Sequence, residues 1–188
     1  MLTVRLNDID YSIKQKVNEF TIGEFEQITN ILNNAELDKI DKYTQIFTVL
    51  GIPQDIIDEM ETSEFFNLVK EFANIEDNID YLVSEKVKEV TINNRVYQAY
   101  EGEEFKMNVK QMKMIEKYIK LNPKTYISDL MAIIFKDTQL TNNEHYVDAH
   151  IKHKSNLFKD NITVDVALPY VGFFSKELLT NLQTYASL

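Results

Sequence analysis

The 188-residue chain contains no cysteine and no tryptophan, and it has only four glycines and three prolines. The absence of cysteine excludes disulfides, thiolate zinc sites and a cysteine nucleophile, and it suits a reducing cytoplasm. No stretch is rich enough in Gly, Pro or Ser to be typical of a flexible linker. The composition therefore predicts one compact unit over residues 1–188.

Long apolar runs and arginine are also scarce. The longest apolar stretches are too short to span a bilayer, and residues 1–5 resemble a strand rather than a signal peptide. We therefore expect neither membrane insertion nor secretion by a signal peptide. Only two of the twenty basic residues are arginine, which disfavours functions that need bidentate guanidinium contacts.

A short pattern near the start of the chain recurs about half a chain later. In each copy, two apolar runs flank a polar pair, Asn7-Asp8 or Asn93-Asn94, whose residues tolerate the left-handed conformation of tight hairpins. Each copy therefore predicts a β-hairpin. The cross-strand pairs expected from these turns are Val4 with Tyr11 and Val90 with Tyr97.

Each predicted hairpin precedes a helix-start pattern. The pairs Thr21 with Glu24 and Asn108 with Gln111 are spaced as in a capping box. Apolar residues flank both boxes as in a hydrophobic staple: Phe20 with Phe25, and Met107 with Met112. We interpret the repeat as two similar units, residues 1–84 and 85–188; the alternative is that a hairpin before a capped helix is simply common.

Helical spacing of apolar residues predicts that the rest of the chain is mostly helical, in an α+β fold. The first unit should contain a helix that ends at Gly51 and another opened by Ile52-Pro53. The second should contain a helix over residues 144–159, a possible strand over residues 162–166 and an unmatched C-terminal helix. A further apolar stripe is Phe65, Phe66, Leu68, Val69 and Phe72.

The net charge of −10 belongs entirely to residues 1–100, which hold nine basic and nineteen acidic residues, whereas residues 101–188 hold eleven of each. Within the neutral half, six lysines recur at spacings of three and four. This lysine stripe is Lys106, Lys110, Lys113, Lys117, Lys120 and Lys124.

We interpret the lysine stripe as the solvated back of a helix whose apolar face is Met112, Ile115 and Ile119. Two alternatives are a contact with nucleic acid and a head-to-tail contact with the acidic half of a neighbouring copy. Such a contact closes into a ring if the rotation allows. The net charge disfavours nucleic acid as a partner.

The apolar segment of residues 168–174 carries a proline and a glycine and shows neither helical nor strand periodicity. It is interpreted either as core or as an apolar patch completed by another subunit. In the second interpretation, the contacts with the other subunit are made by Leu168, Pro169, Tyr170, Phe173 and Phe174.

No motif for catalysis, phosphate binding or dinucleotide binding is present. His145, His150 and His153 lack the spacing of a known zinc motif, and we expect polar surface histidines rather than metal ligands. The carboxylates of residues 101–104 are expected to lie in a solvated turn. The sequence thus predicts a non-enzymatic protein with no cofactor and no metal site.

The strand-turn-strand of residues 3–11, the helix entry at residues 19–25 and the helical remainder resemble small morphogenesis proteins of tailed bacteriophages with AT-rich genomes. The resemblance implies a neck or tail structural subunit, such as a ring or connector protein, or a tail-assembly chaperone. It implies other phage structural proteins as partners, self-association, and a location in the virion or the host cytoplasm during assembly. The duplicated hairpin and the acidic half depart from known connector families.

An alternative of another class is an acidic regulatory or inhibitory protein. Its first half would mimic nucleic acid and occupy the basic groove of a host enzyme. This hypothesis predicts that the nineteen carboxylates gather on one exposed face.

Overall fold

The computed structural model describes residues 2–6, 9–14, 16, 19–73, 85–99, 113–118, 126–145 and 147–171. Helices dominate them and two small antiparallel sheets accompany the helices, which confirms the mostly helical α+β fold. The strands are β1 (Leu2–Leu6), β2 (Ile9–Ile13), β3 (Glu89–Ile92), β4 (Arg95–Ala99) and β5 (Phe135–Asp137). The helices are α1 (Ile22–Leu32), α2 (Lys39–Val49), α3 (Gln54–Asp58), α4 (Thr62–Ala73), α5 (described over 113–118), α6 (Ile127–Ile134), α7 (Asn142–His145), α8 (Asp148–Asn161) and α9 (described over 164–171).

Both predicted hairpins form, and both have the expected register. Val4 pairs with Tyr11 between β1 and β2, and Val90 pairs with Tyr97 between β3 and β4. The two asparagines of the second turn have φ angles of 51° and 61°, as a type I′ turn requires. The hairpins differ in their surroundings: β5 extends the second into a three-stranded sheet, whereas β1 and β2 form a two-stranded sheet.

Replacing Asn94 with valine is expected to lower the free energy of unfolding by about 1–2 kcal/mol, because a β-branched residue is strained at positive φ. The side chain is exposed, so burial does not change. Urea unfolding measures the effect. Asn94→Gly is the matched control and should keep or increase stability, since glycine adopts this conformation freely. An equal loss in both variants would contradict the explanation from backbone strain.

The predicted capping box at the start of α1 is present. The Thr21 backbone N–H donates to Glu24 Oε2 at 2.7 Å, and the Glu24 N–H donates to Thr21 Oγ1 at 3.2 Å. Lys14 Nζ lies 2.6 Å from the same carboxylate oxygen of Glu24. The Glu24 carboxylate therefore also joins the start of α1 to Lys14, the residue that follows β2.

Gly51 ends α2 as predicted, with a φ of 96° that favours glycine. Its N–H donates to the Thr48 carbonyl, and the Ile52 N–H donates to the Phe47 carbonyl, which is the hydrogen-bond pattern of a Schellman motif. Pro53 then stands at the N-cap of α3. The chain thus turns sharply between α2 and α3 and brings both toward α4.

The described residues form two hydrophobic cores, one from each half of the chain. Each core also contains one buried residue from the other half. The N-terminal core is built from residues 13–72 together with Val164. The C-terminal core is built from residues 92–170 together with Ile22. Because each core contains a buried side chain from the other half of the sequence, the described halves pack on each other. The duplication of residues 1–84 and 85–188 stays a prediction.

The exchange is organised by a short backbone bridge between Thr21 and Thr163. The Ile22 N–H donates to the Ile162 carbonyl, and the Val164 N–H donates to the Phe20 carbonyl, both at 2.9 Å. The predicted strand over residues 162–166 is wrong, because pairing stops at this bridge and residues 164–171 are helical. Its partner segment enters α1 at once, so no longer ladder can form.

Two further expectations are corrected. The predicted helix over residues 144–159 is two helices, α7 and α8, separated near Val147, which has an extended conformation. Phe66 is half-exposed, whereas its four companions in the apolar stripe of α4 are buried. Phe65, Leu68, Val69 and Phe72 follow the i, i+3, i+4, i+7 spacing of one helix face, whereas Phe66 lies about 100° from Phe65 and away from the centre of that face.

Several predictions lie outside the described residues. They are the second capping box with Met107 and Met112, the carboxylates of residues 101–104, the C-terminal helix from residue 176 onward, and four members of the lysine stripe: Lys106, Lys110, Lys120 and Lys124.

Candidate functional site

Two residues of the lysine stripe, Lys113 and Lys117, lie exposed on α5, while Met114 and Ile115 of the same helix are buried in the C-terminal core. Lys117 Nζ lies 2.7 Å from Asp148 Oδ2 at the start of α8, and this hydrogen bond raises the pKa of Lys117. This part of the stripe is thus the outer face of an amphipathic helix. Lys117 binds a carboxylate of its own chain.

The apolar segment that begins at Leu168 continues α9. Leu168 and Pro169 are half-buried, and Tyr170 is buried in the C-terminal core with its ring 5.3 Å from that of Phe135. The Tyr170 hydroxyl donates to the Val87 carbonyl at 2.6 Å, and burial raises the pKa of Tyr170 to about 12. Tyr170 therefore packs inside its own chain. Phe173 and Phe174 lie outside the described residues.

The expectation of three surface histidines is wrong for His145, which is fully buried. His150 is half-buried and His153 is exposed, on the following helix. Over the described ranges, no group of three His, Cys, Asp or Glu side chains is arranged to hold a metal ion.

His145 forms a buried pair with Lys154 on α8. Lys154 Nζ lies 2.8 Å from His145 Nδ1 and donates to the Phe135 carbonyl at 3.0 Å. His145 Nε2 lies 3.3 Å from the Ile133 carbonyl, which can only accept. The partners therefore assign a neutral imidazole protonated at Nε2, with Nδ1 accepting from the lysine.

Both members of this pair have strongly shifted pKa values. Burial and, to a smaller extent, the positive charge of Lys154 together lower the pKa of His145 to about 4. Burial also lowers the pKa of Lys154 to about 7, whereas the carboxylate of Asp137 opposes that shift. Asp137 is itself buried and accepts from Arg95 NH1 at 3.0 Å. His145 and Lys154 thus lose their protons at lower pH than an exposed histidine or lysine does.

A second buried polar cluster joins α1 to α6. Glu26 Oε1 accepts from the Ser128 N–H at 2.9 Å, Glu26 Oε2 accepts from Ser128 Oγ at 3.3 Å, and Ser155 Oγ donates to Ser128 Oγ. Lys159 Nζ lies 3.5 Å from Glu26 Oε2. Burial raises the pKa of Glu26, and the hydrogen bonds from Ser128 oppose the rise. The carboxylate binds a free N–H in the first turn of α6, which ties the two halves together.

Both clusters are closed and internally satisfied. Glu26, Ser128, His145, Lys154 and Ser155 are all buried, at 3% exposure or less. Within the part of the chain that the structure describes, every buried side-chain nitrogen and oxygen has a hydrogen-bond partner. Buried polar groups arranged in this way position helices against one another. The shifted pKa values of Glu26, His145 and Lys154 follow mainly from their burial between the packed helices.

The described surface carries a groove of about 250 Å³ between α2, α3 and the start of α4, and both apolar and polar side chains line it. Ile57 and Phe65 at its base belong to the N-terminal core. Ile40 and Phe66 line it while remaining 55% and 50% exposed. We call this feature the acidic groove, because Asp58 lines it and further exposed carboxylates surround it in sequence. Its volume is below the roughly 300–1,000 Å³ of small-molecule sites and suits one or two inserted side chains.

Sequence reasoning placed none of these residues in a site, although some signals were present. Lys154 lies in the apolar phase of α8, one turn after Ile151 and one turn before Phe158. Glu26 follows Ile22 by four residues in α1, on the same buried face. In both helices, a charged residue at a position on the apolar face indicated the buried cluster. The groove had no such signal, since it depends on the relative positions of three helices.

Comparison of the chain with protein-family models, with curated protein sequences and with solved structures gives no match. Across the described helices, none is both long and apolar enough to cross a membrane.

Proposed function

We propose that this chain is a non-enzymatic assembly or virion protein of a tailed bacteriophage that acts through protein-protein contacts. Its role is that of a neck or tail structural subunit, in a ring or connector, or of a tail-assembly chaperone. It works in the virion or in the host cytoplasm during assembly. The assignment to phages rests on the resemblance of residues 3–11 and 19–25. The proposed action through protein-protein contacts rests on a feature of the described surface, the acidic groove.

The observation that supports a protein-binding role is the acidic groove. Large apolar side chains that remain exposed together on one concave surface are typical of a protein-binding site. Ile40 and Phe66 meet this description, and the buried residues beneath them hold the groove in place. The buried polar clusters, in contrast, serve the packing of helices.

Mass spectrometry of purified particles from a phage that encodes the chain, with light scattering of the purified protein, tests this function. A structural subunit should be present in the particle in a defined copy number. A chaperone should be absent from the particle but form a complex with neck or tail proteins. A monomer that is absent from particles and binds none of their proteins would contradict both roles.

The acidic nucleic-acid mimic remains the second candidate, because one observation favours it. All nine carboxylates between residues 36 and 71 are exposed, and only three basic residues accompany them. A mimic should compete with double-stranded DNA for a basic DNA-binding protein, with strong dependence on salt. Substitution of Phe66 should leave this competition unchanged, whereas it should weaken any contact that is made through the acidic groove.

A further inference from the structure

We propose that the acidic groove binds an amphipathic helix of a second protein, with apolar side chains inserted between Ile40 and Phe66 and lysines or arginines facing the surrounding carboxylates. The inference rests on the proposed protein-binding function and specifies its surface and the chemistry of its partner.

The shape of the groove favours a helix as the occupant. Ile40 and Thr44 lie one turn apart on α2, and Phe65 and Phe66 face them from α4. Ile57 and Met60 also line the groove. Such a groove, in which Ile40 and Phe66 of flanking helices are exposed beside Thr44, Asp58 and Thr62, accepts the apolar side chains that a bound helix presents at intervals of three and four residues.

The charge around the groove selects a basic partner. From residue 43 to residue 69 the chain contains no lysine or arginine. The same segment has five carboxylates, all of them exposed: Asp55, Asp58, Glu59, Glu61 and Glu64. Three lysines flank this segment: Lys39 beside Ile40, Lys42, which donates to the Leu32 carbonyl at 2.9 Å, and Lys70, one turn after Phe66. Carboxylates still outnumber lysines by nine to three over residues 36–71. Complementary charge on the partner would steer and orient its approach.

The chain's own lysine-bearing helix does not meet this description. Met114 and Ile115 of α5 are buried in the C-terminal core, so a second copy cannot offer them to the groove without unfolding. The C-terminal stretch of residues 176–188 has leucines at helical spacing but only one lysine and one glutamate, and therefore no net charge. Charge complementarity thus points to a helix of another protein rather than to this chain.

A titration of the ¹⁵N-labelled full chain with a synthetic peptide tests the proposal. The probe is an amphipathic peptide of about 16 residues, with leucines at intervals of three and four and lysines beside them. Amide shifts should change for the residues of the groove, among them Ile40, Thr44, Met60 and Phe66. A peptide of the same composition in scrambled order, and one with glutamate in place of lysine, should bind at least about tenfold more weakly.

Variants with matched controls assign the binding to this surface. Phe66→Ser and Ile40→Ser should each weaken peptide binding about tenfold or more. Val147→Ser is the apolar control, since Val147 is 47% exposed and lies outside the groove. Glu61→Lys should weaken binding, whereas Asp160→Lys, at an exposed position near the end of α8, should not. Unchanged thermal unfolding of the variants shows that the fold is retained.

Several results would overturn the proposal. They are shift changes elsewhere on the chain, equal binding of the scrambled or acidic peptide, and binding that Val147→Ser reduces as much as Phe66→Ser. Self-association that Phe66→Ser abolishes would show that a second copy occupies the groove instead. If the chain binds neck or tail proteins and Phe66→Ser leaves that binding unchanged, the proposed function holds and the groove assignment fails.

Discussion

Replacing Lys154 with methionine is expected to flatten the dependence of stability on pH between about 7 and 10.5. Lys154 has a pKa of about 7 in the folded chain and the usual 10.5 in the unfolded chain. Between these values the unfolded chain binds a proton that the folded chain does not, so stability rises with pH. Methionine does not titrate and removes this contribution, which is on the order of 5 kcal/mol across the window.

Urea unfolding of both proteins across this pH range measures the effect. Methionine removes hydrogen bonds to His145 and to the Phe135 carbonyl, which adds a loss of stability. That loss is nearly independent of pH above 7, so the difference in slope is the informative quantity. Lys152→Met is the matched control, because Lys152 is exposed on the same helix. Parallel curves for the wild type and Lys154→Met would contradict the assignment of a mostly uncharged amine at high pH.

Replacing Glu26 with alanine is expected to lower the free energy of unfolding by about 3 kcal/mol. The change leaves the Ser128 N–H and hydroxyl without their carboxylate acceptor in a buried position. It also removes the partner of Lys159 and the contact that joins α1 to α6. Unsatisfied buried donors and a lost buried charge account for a loss of this size.

Glu26→Gln separates the hydrogen bond from the charge. Glutamine keeps an acceptor for the Ser128 N–H, so it should lose only about 1 kcal/mol. Burial raises the pKa of Glu26 above the usual 4.5, so between 4.5 and the pKa of the folded chain the folded chain binds a proton that the unfolded chain does not. The free energy of unfolding of the wild type therefore falls as pH rises through this interval, and the glutamine variant should lack this fall. Gln27→Ala, on the exposed side of α1, is the control for helix propensity. Equal losses for Glu26→Ala and Glu26→Gln would contradict the role of the acceptor.

The elements that the sequence predicted correctly are those whose causes are local. The second turn follows from two adjacent asparagines, the start of α1 from Thr21 and Glu24, and the end of α2 from Gly51. Each depends on the conformation or hydrogen bonds of a few neighbouring residues. The failed strand over residues 162–166 has alternating residues, as a strand should. It does not form because its partner segment, about 140 residues away in the chain, pairs with it only at the bridge between Thr21 and Thr163.

The candidate site was less predictable for the same reason. The sequence allows the segment near Leu168 to be an interaction patch, yet Tyr170 fills the C-terminal core. Phe66 was predicted as part of the apolar stripe of α4, yet it lines the acidic groove. Hydrophobicity indicates that a side chain favours burial, but the neighbouring helices determine whether burial is available.

The sequence by itself determined the α+β class, the two hairpins with their register, the first helix cap and the uneven distribution of charge. These follow from the spacing of residue types and from backbone preferences that act over a few residues. Only the tertiary structure decided that His145 and Lys154 meet in the interior, that Glu26 binds Ser128, and that Ile40 and Phe66 share a groove. Glu26 and Ser128 are 102 residues apart, and His145 and Lys154 are only nine apart but lie on different helices, so in each case the packing of whole helices brings the side chains together.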